Sequence, residues 1–106
     1  MERDEFIKLS SHALEHIERT LGALEHDALD VQLAGDVLTL SFDDGVRFVV
    51  NAHSAAGQIW MAAGRTAWHF DWVPERERWV ASKNGDELMG TLARSVGGKL
   101  GVDVSL

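Results

Sequence analysis

Between residues 4 and 24, apolar side chains recur every three or four positions: Phe6, Leu9, Ala13, Ile17, Leu21 and Leu24. That spacing predicts an amphipathic helix with these residues on one arc and Leu14 at its edge. Lys8, His12, Glu15, Glu18 and Arg19 fall opposite the arc or on its flanks, and Asp4 is the expected N-cap. A polar connection covers residues 25–30, and the period then shortens to two. Val31-Gln32-Leu33 predicts a short strand, and Val37–Phe42 a second with Leu38, Leu40 and Phe42 on one face. Asp43-Asp44-Gly45 is a hairpin signal, because an Asp-Gly pair accepts the positive φ of a tight turn. Val46–Asn51, Gln58–Ala62, Thr66–Trp72 and Arg78–Ala81 complete a set of about six strands, divided by Gly64-Arg65 and Val73-Pro74-Glu75.

A second helix is predicted over residues 86–96. Asp86 and Glu87 stand where the helix dipole favours acids, Leu88, Leu92 and Val96 form the apolar stripe, and Gly97-Gly98 ends it. Val102, Val104 and Leu106 alternate in an extended tail that must pack against something. Strands joined by short turns form an antiparallel meander, and two helices on one face of it give a two-layer α+β sandwich. No repeat or linker interrupts residues 1–106, so a single domain is expected.

Alternation also predicts what stays open. If Ile59 and Met61 face the helices, the other side of the sheet carries Thr39, Arg47, Asn51, Gln58, Trp60 and His69. Tryptophan on a polar sheet face either covers its own strand neighbours or suits a protein interface, where it is a frequent hot spot.

Composition narrows the functional classes. The formal charge is −7, which repels phosphate backbones and argues against a nucleic-acid role. Cysteine is absent, which removes disulfides, thiolate metal ligation and cysteine nucleophiles and leaves only oxygen and imidazole donors. No apolar run reaches the ~18 residues a membrane helix needs. The charged start Met1-Glu2-Arg3-Asp4-Glu5 resembles neither a secretory signal nor a mitochondrial presequence, so an untargeted cytoplasmic protein, or a mature form already trimmed, is expected.

Two groups of residues carry candidate metal chemistry. Glu15, Glu18, Glu25, Asp27 and Asp30 cluster on the outer face of the first helix, its end and the following loop, and read either as a solvated acidic face or as a group that attracts hard cations without forming a closed cage. Arg19, four residues after Glu15, offers a competing ion pair. His12-Ala13-Leu14-Glu15-His16 matches the His-x-x-Glu-His order of inverted zinc peptidases. Little chain precedes it to build a third ligand or a substrate groove, so the pair reads as two surface histidines or as a chelator of Ni²⁺, Cu²⁺ or Zn²⁺. No Gly-x-Ser-x-Gly elbow or nucleophile–base pair is present, and Gly97-Gly98 lacks a phosphate-loop context.

The stretch from Val49-Val50-Asn51 to Gln58-Ile59-Trp60-Met61-Ala62 closely resembles the central signature of the frataxins. Val37–Leu40 with Asp43-Asp44-Gly45 resembles that family's second strand and hairpin, and Trp68-His69-Phe70-Asp71-Trp72 its fifth strand. Trp79, Asn84-Gly85 and the Leu88–Leu92 helix resemble its C-terminal third, while Glu5-Phe6 and Leu9 resemble the start of bacterial, CyaY-type members. The resemblance implies the frataxin-like fold and a non-catalytic, iron-binding regulator of iron–sulfur cluster assembly, monomeric or assembling with iron. Its implied partners are the cysteine desulfurase and the scaffold protein, and its implied cofactor is weakly held, exchangeable Fe²⁺ or Fe³⁺. Carried over residue by residue, partner contacts fall on Asn51, Gln58, Trp60 and His69, and the iron-binding ridge on Glu15, Glu18, Glu25, Asp27, Asp30 and Asp43. The implied alternatives are an iron store with ferroxidase-like assembly and an interaction domain with no metal role. Three departures stand out. Arg19, Gly22 and Ala23 thin the ridge, Ala52, His53 and Ala55 replace basic, amide and proline residues, and His69 stands where eukaryotic members tend to have arginine.

Overall fold

The computed structural model describes Met1 to Leu106. Its elements are α1 (Arg3–Gly22), β1 (Leu29–Ala34), β2 (Val37–Phe42), β3 (Arg47–His53), β4 (Gln58–Ala63), β5 (Thr66–Val73), β6 (Arg78–Ala81) and α2 (Leu88–Leu100). The six strands form one antiparallel sheet in chain order, β1 to β6. Short turns make sequence neighbours sheet neighbours. In the β2–β3 turn, Gly45 takes φ 89° and the Asp44 carboxylate accepts the Val46 N–H at 3.0 Å, as the Asp-Gly signal predicts.

The register explains the core. Ala52, Ile59, Phe70 and Ala81 lie opposite one another along one row across β3 to β6, and Leu38, Val50, Met61 and Trp68 along another across β2 to β5. These side chains point to the helix-covered face, where they meet Phe6, Ala13, Leu14, Ile17 and Leu21 of α1 and Leu88, Leu92 and Val96 of α2. Each large side chain buried this way contributes about 1.5–3 kcal/mol. A one-residue slip of any strand would exchange core for surface, so the apolar period locks the register. Trp79 of β6 closes one end, edge-on to Phe6 at 5.7 Å and angled against Trp72 at 5.4 Å.

The helix ends differ from expectation. α1 begins at Arg3 with Glu2 at the N-cap and no side-chain cap, so Asp4 lies inside the first turn beside Glu5. There both acids favour the helix dipole instead of capping. α1 stops at Gly22, and Leu24 turns outward at 38% exposure. Leu14, at the edge of the predicted arc, is buried, because α1 lies over β1 and β3 and also reaches Trp79. Its inward stripe is therefore wider than one contact face requires.

α2 begins at Leu88, later than predicted. Asp86 and Glu87 instead edge the sheet: the Ala81 N–H donates to the Asp86 carbonyl at 2.8 Å, and Glu87 bridges Val80. The Asp86 carboxylate accepts the Trp68 indole N–H at 3.0 Å, and Glu87 pairs with Arg76 and Arg78 at 3.4 and 3.5 Å. Gly97-Gly98 does not end the helix, which runs to Leu100 and closes at Gly101 with φ 72° and its N–H on the Gly97 carbonyl. The reason lies in packing: a Cβ on Gly97 would stand 2.8 Å from the Val102 carbonyl oxygen. The glycine is thus needed where the tail folds back. Val104 and Leu106 of that tail are half-buried against the core, whereas Val102 is exposed, so only part of the expected alternation packs inward. Lys99 reaches the β2–β3 turn and pairs with Asp44, whose carboxyl is held below its ordinary value of 3.8 chiefly by that contact. No helix is long and apolar enough to cross a membrane.

Candidate functional site: the open sheet face and the acidic edge

On the uncovered face, Asn51, Trp60 and His69 stand directly opposite one another on β3, β4 and β5. The pleat that sends Ile59 and Met61 inward sends Gln58 and Trp60 outward. Trp60 is half-buried, with one face stacked on His53 at 4.1 Å and the other on His69 at 4.4 Å, both nearly parallel. Its indole N–H donates to the Gln58 side-chain carbonyl at 2.8 Å, and the Gln58 amide donates to the Asp71 carboxylate at 3.1 Å. The predicted contact residues Asn51, Gln58, Trp60 and His69 therefore converge on one surface. The indole is fixed within it by the Gln58 side chain and the two imidazoles.

Two members of this assembly were not among the expected contact residues. His53 falls beyond Asn51, where the sequence pattern ends β3; the strand runs on to His53, and period-two alternation then places it beside Trp60. Asp71 shares the face by the same alternation and is linked to the cluster only through Gln58. The next row across the sheet, Thr39, Val49, Ala62 and Ala67, is small and largely apolar, with Arg47 beyond it. The face thus joins a flat apolar strip to an aromatic ladder, a combination suited to docking protein.

The predicted acidic residues lie along the α1–β1 side. Glu15, Glu25, Asp27, Asp30 and Asp43 are exposed and Glu18 is half-buried. The Asp43 N–H donates to the Ala28 carbonyl at 3.0 Å, which draws the β2–β3 turn up to the loop after α1. The expected Glu15–Arg19 pair does not form: the ion pairs are Arg76–Glu87, Arg78–Glu87 and Lys99–Asp44. Two long exposed side chains gain little from pairing in water. No three or more His, Asp or Glu side chains are grouped to enclose a metal ion. The donors fit a cation held by its charge and its own water shell, exchangeably, and do not fit a chelating cage.

His12 and His16 line a groove of about 790 Å³ between α1, β6 and α2, with Trp72, Trp79 and Met89 among its walls. The peptidase expectation of a missing groove is therefore not met, but no third ligand joins the pair.

The chain matches the model of the frataxin-like domain over residues 1–102. It is 38% identical to the iron–sulfur cluster assembly protein CyaY of Ralstonia nicotianae, over 96% of this chain and 91% of that one. It is 36% identical to the protein of the same name from Thioalkalivibrio sulfidiphilus, over 94% and 97%. Among solved structures, the frataxin of Psychromonas ingrahamii superimposes with a TM-score of 0.90 at 24% identity, covering 99% of this chain and 97% of that one. The trimeric yeast frataxin complexed with ferrous iron superimposes at 0.77 with 27% identity, over 88% and 86%. With the sheet order, the two helices on one face and the Asn51, Gln58 and Trp60 surface all in place, the match along nearly the whole chain makes this protein a member of the frataxin family, of its bacterial, CyaY type.

Proposed function

We propose that the protein works in iron–sulfur cluster assembly as a non-catalytic regulator in the bacterial cytoplasm, docking on the cysteine desulfurase and the scaffold protein and binding iron weakly. The observation that carries this reading is full-length similarity to proteins named for that process. The open face supports it with a fixed aromatic cluster rather than a pocket with reacting groups. The acidic ridge, unpaired and exposed apart from the half-buried Glu18, is the side that would meet a basic patch on the desulfurase, and Trp60 with its imidazoles would meet the scaffold. Iron at the ridge stays exchangeable, because the carboxylates present form no cage.

The ridge contacts are exposed charge pairs, and such pairs lose strength as the screening length falls below about 8–10 Å. Binding to the source organism's own desulfurase is therefore expected at low salt and to weaken steadily as salt is added, measured by calorimetry or surface resonance. Absence of binding at low salt by a folded sample would overturn the desulfurase part of the proposal. An iron-linked assembly is the second reading, favoured by the trimeric yeast relative complexed with ferrous iron. Sedimentation of the chain with Fe²⁺ separates the two: the regulator stays small, and the store grows.

A further inference from the structure

His12 and His16 are set apart from the other histidines of the chain. His26 and His53 each accept a backbone N–H at Nδ1, and His53 and His69 stack on Trp60. His12 and His16 have no such partner, and both line the groove between α1, β6 and α2. Four residues apart on one helix, their imidazoles stand one turn above each other and about 40° apart around the axis. That is the geometry in which two histidines share one cation. The ridge acids point elsewhere: at 100° per residue, Glu15 and Glu18 lie about 60° and 120° around the helix from His12, on the side away from His16.

The charges facing the groove leave room for a cation. Arg78 also lines it, with its guanidinium turned onto Glu87 at 3.5 Å. Glu77, exposed and outside every ion pair, supplies an uncompensated negative charge on the same rim. Imidazole nitrogen selects borderline cations over hard ones, with copper ahead of zinc and magnesium far behind. We infer that His12 and His16 form a two-imidazole chelate for one borderline divalent cation, Zn²⁺, Ni²⁺ or Cu²⁺, at the groove mouth and separate from the carboxylate ridge. Water completes the coordination, so the affinity is that of a bidentate site. The bound ion ties one turn of α1 to the next and stabilises the fold by an amount that grows with the logarithm of the free-ion concentration above the dissociation constant. This inference does not depend on the proposed role in cluster assembly.

The test uses the full metal-free chain and Zn²⁺ alone, followed through the histidine ring signals by nuclear magnetic resonance and through thermal unfolding. The expected result is one equivalent of zinc per chain, with the His12 and His16 rings perturbed first and the unfolding temperature raised. His12→Ala and His16→Ala should each weaken binding at least about tenfold, since a chelate becomes a single ligand. The double variant Glu15→Gln, Glu18→Gln should keep the wild-type affinity within about twofold, since its carboxylates lie off the chelating face. First perturbation of His53 or His69, loss of binding that follows the two glutamates, or an equal response to Mg²⁺ would each overturn the assignment. The wild-type spectra decide the matter even if a histidine variant folds poorly.

Discussion

Trp60 illustrates how a side chain is defined by what covers it. Imidazoles occupy both of its faces and Gln58 holds its N–H, so the indole has one orientation. Each such stacked pair is worth about 0.5–1.5 kcal/mol beyond the area it buries. Because a fixed side chain loses little freedom on docking, it makes an efficient anchor. Trp60→Ala should lower affinity for the scaffold protein by about 2 kcal/mol, roughly thirtyfold. His53→Ala should cost about 0.5–1.5 kcal/mol of stability and loosen the indole. Calorimetry with the scaffold and denaturant titration check the two; a scaffold loss below about 0.5 kcal/mol for Trp60→Ala would remove it from the interface. Alternation and family resemblance made Trp60 and its neighbours Asn51, Gln58 and His69 legible in the sequence. His53 was not, because its place depends on β3 continuing past Asn51, and the small residues around it, Ala52, Ser54, Ala55, Ala56 and Gly57, carry no apolar–polar alternation to signal that.

At the scale of the element, α2 separates two glycines that look alike in sequence. A Cβ on Gly97 would stand 2.8 Å from the Val102 carbonyl oxygen, whereas one on Gly98 would meet nothing within 4 Å. Helix propensity favours alanine over glycine by about 1 kcal/mol at either site. Gly98→Ala should therefore stabilise the protein by up to about 1 kcal/mol. Gly97→Ala should destabilise it by about 1–3 kcal/mol, since it drives the tail and its Val104 and Leu106 contacts off the core. Denaturant unfolding of the pair is the check, and the same sign for both would mean that the tail contact carries little weight. The sequence marked both glycines as a helix stop. That rule describes local backbone preference, and packing of the tail against the helix overrode it.

Across the whole molecule, the charge is unevenly compensated. The net charge is −7; two of the three ion pairs lie on the β5–β6 side, and the third joins the α2 end to Asp44 in the β2–β3 turn. The ridge residues Glu15, Glu25, Asp27 and Asp30 remain exposed and unpaired. Like charges concentrated on one side repel in the folded state more than in the expanded chain. Raising salt to about 0.5 M shortens the screening length to a few ångström and relieves that repulsion. The unfolding temperature should rise by a few degrees, about 0.5–1 kcal/mol at roughly 4–8 °C per kcal/mol. Calorimetric scans across a salt series measure it, and a flat or falling series would mean that the three pairs outweigh the ridge.

The sequence by itself determined the fold class, the strand order, the hairpin at Asp43-Asp44-Gly45 and the division of the sheet into an apolar and an open face. These follow from period and turn chemistry, which act between near neighbours in the chain. The tertiary structure decided the rest. It set where α1 and α2 begin and end, buried Leu14, turned Asp86 and Glu87 into a sheet edge, and left Glu15 and Arg19 unpaired. It also brought His53 and His69 onto the two faces of Trp60 and opened a groove beside His12 and His16. Each of these outcomes depends on side chains from distant parts of the chain meeting in space, and no local pattern encodes which ones will meet.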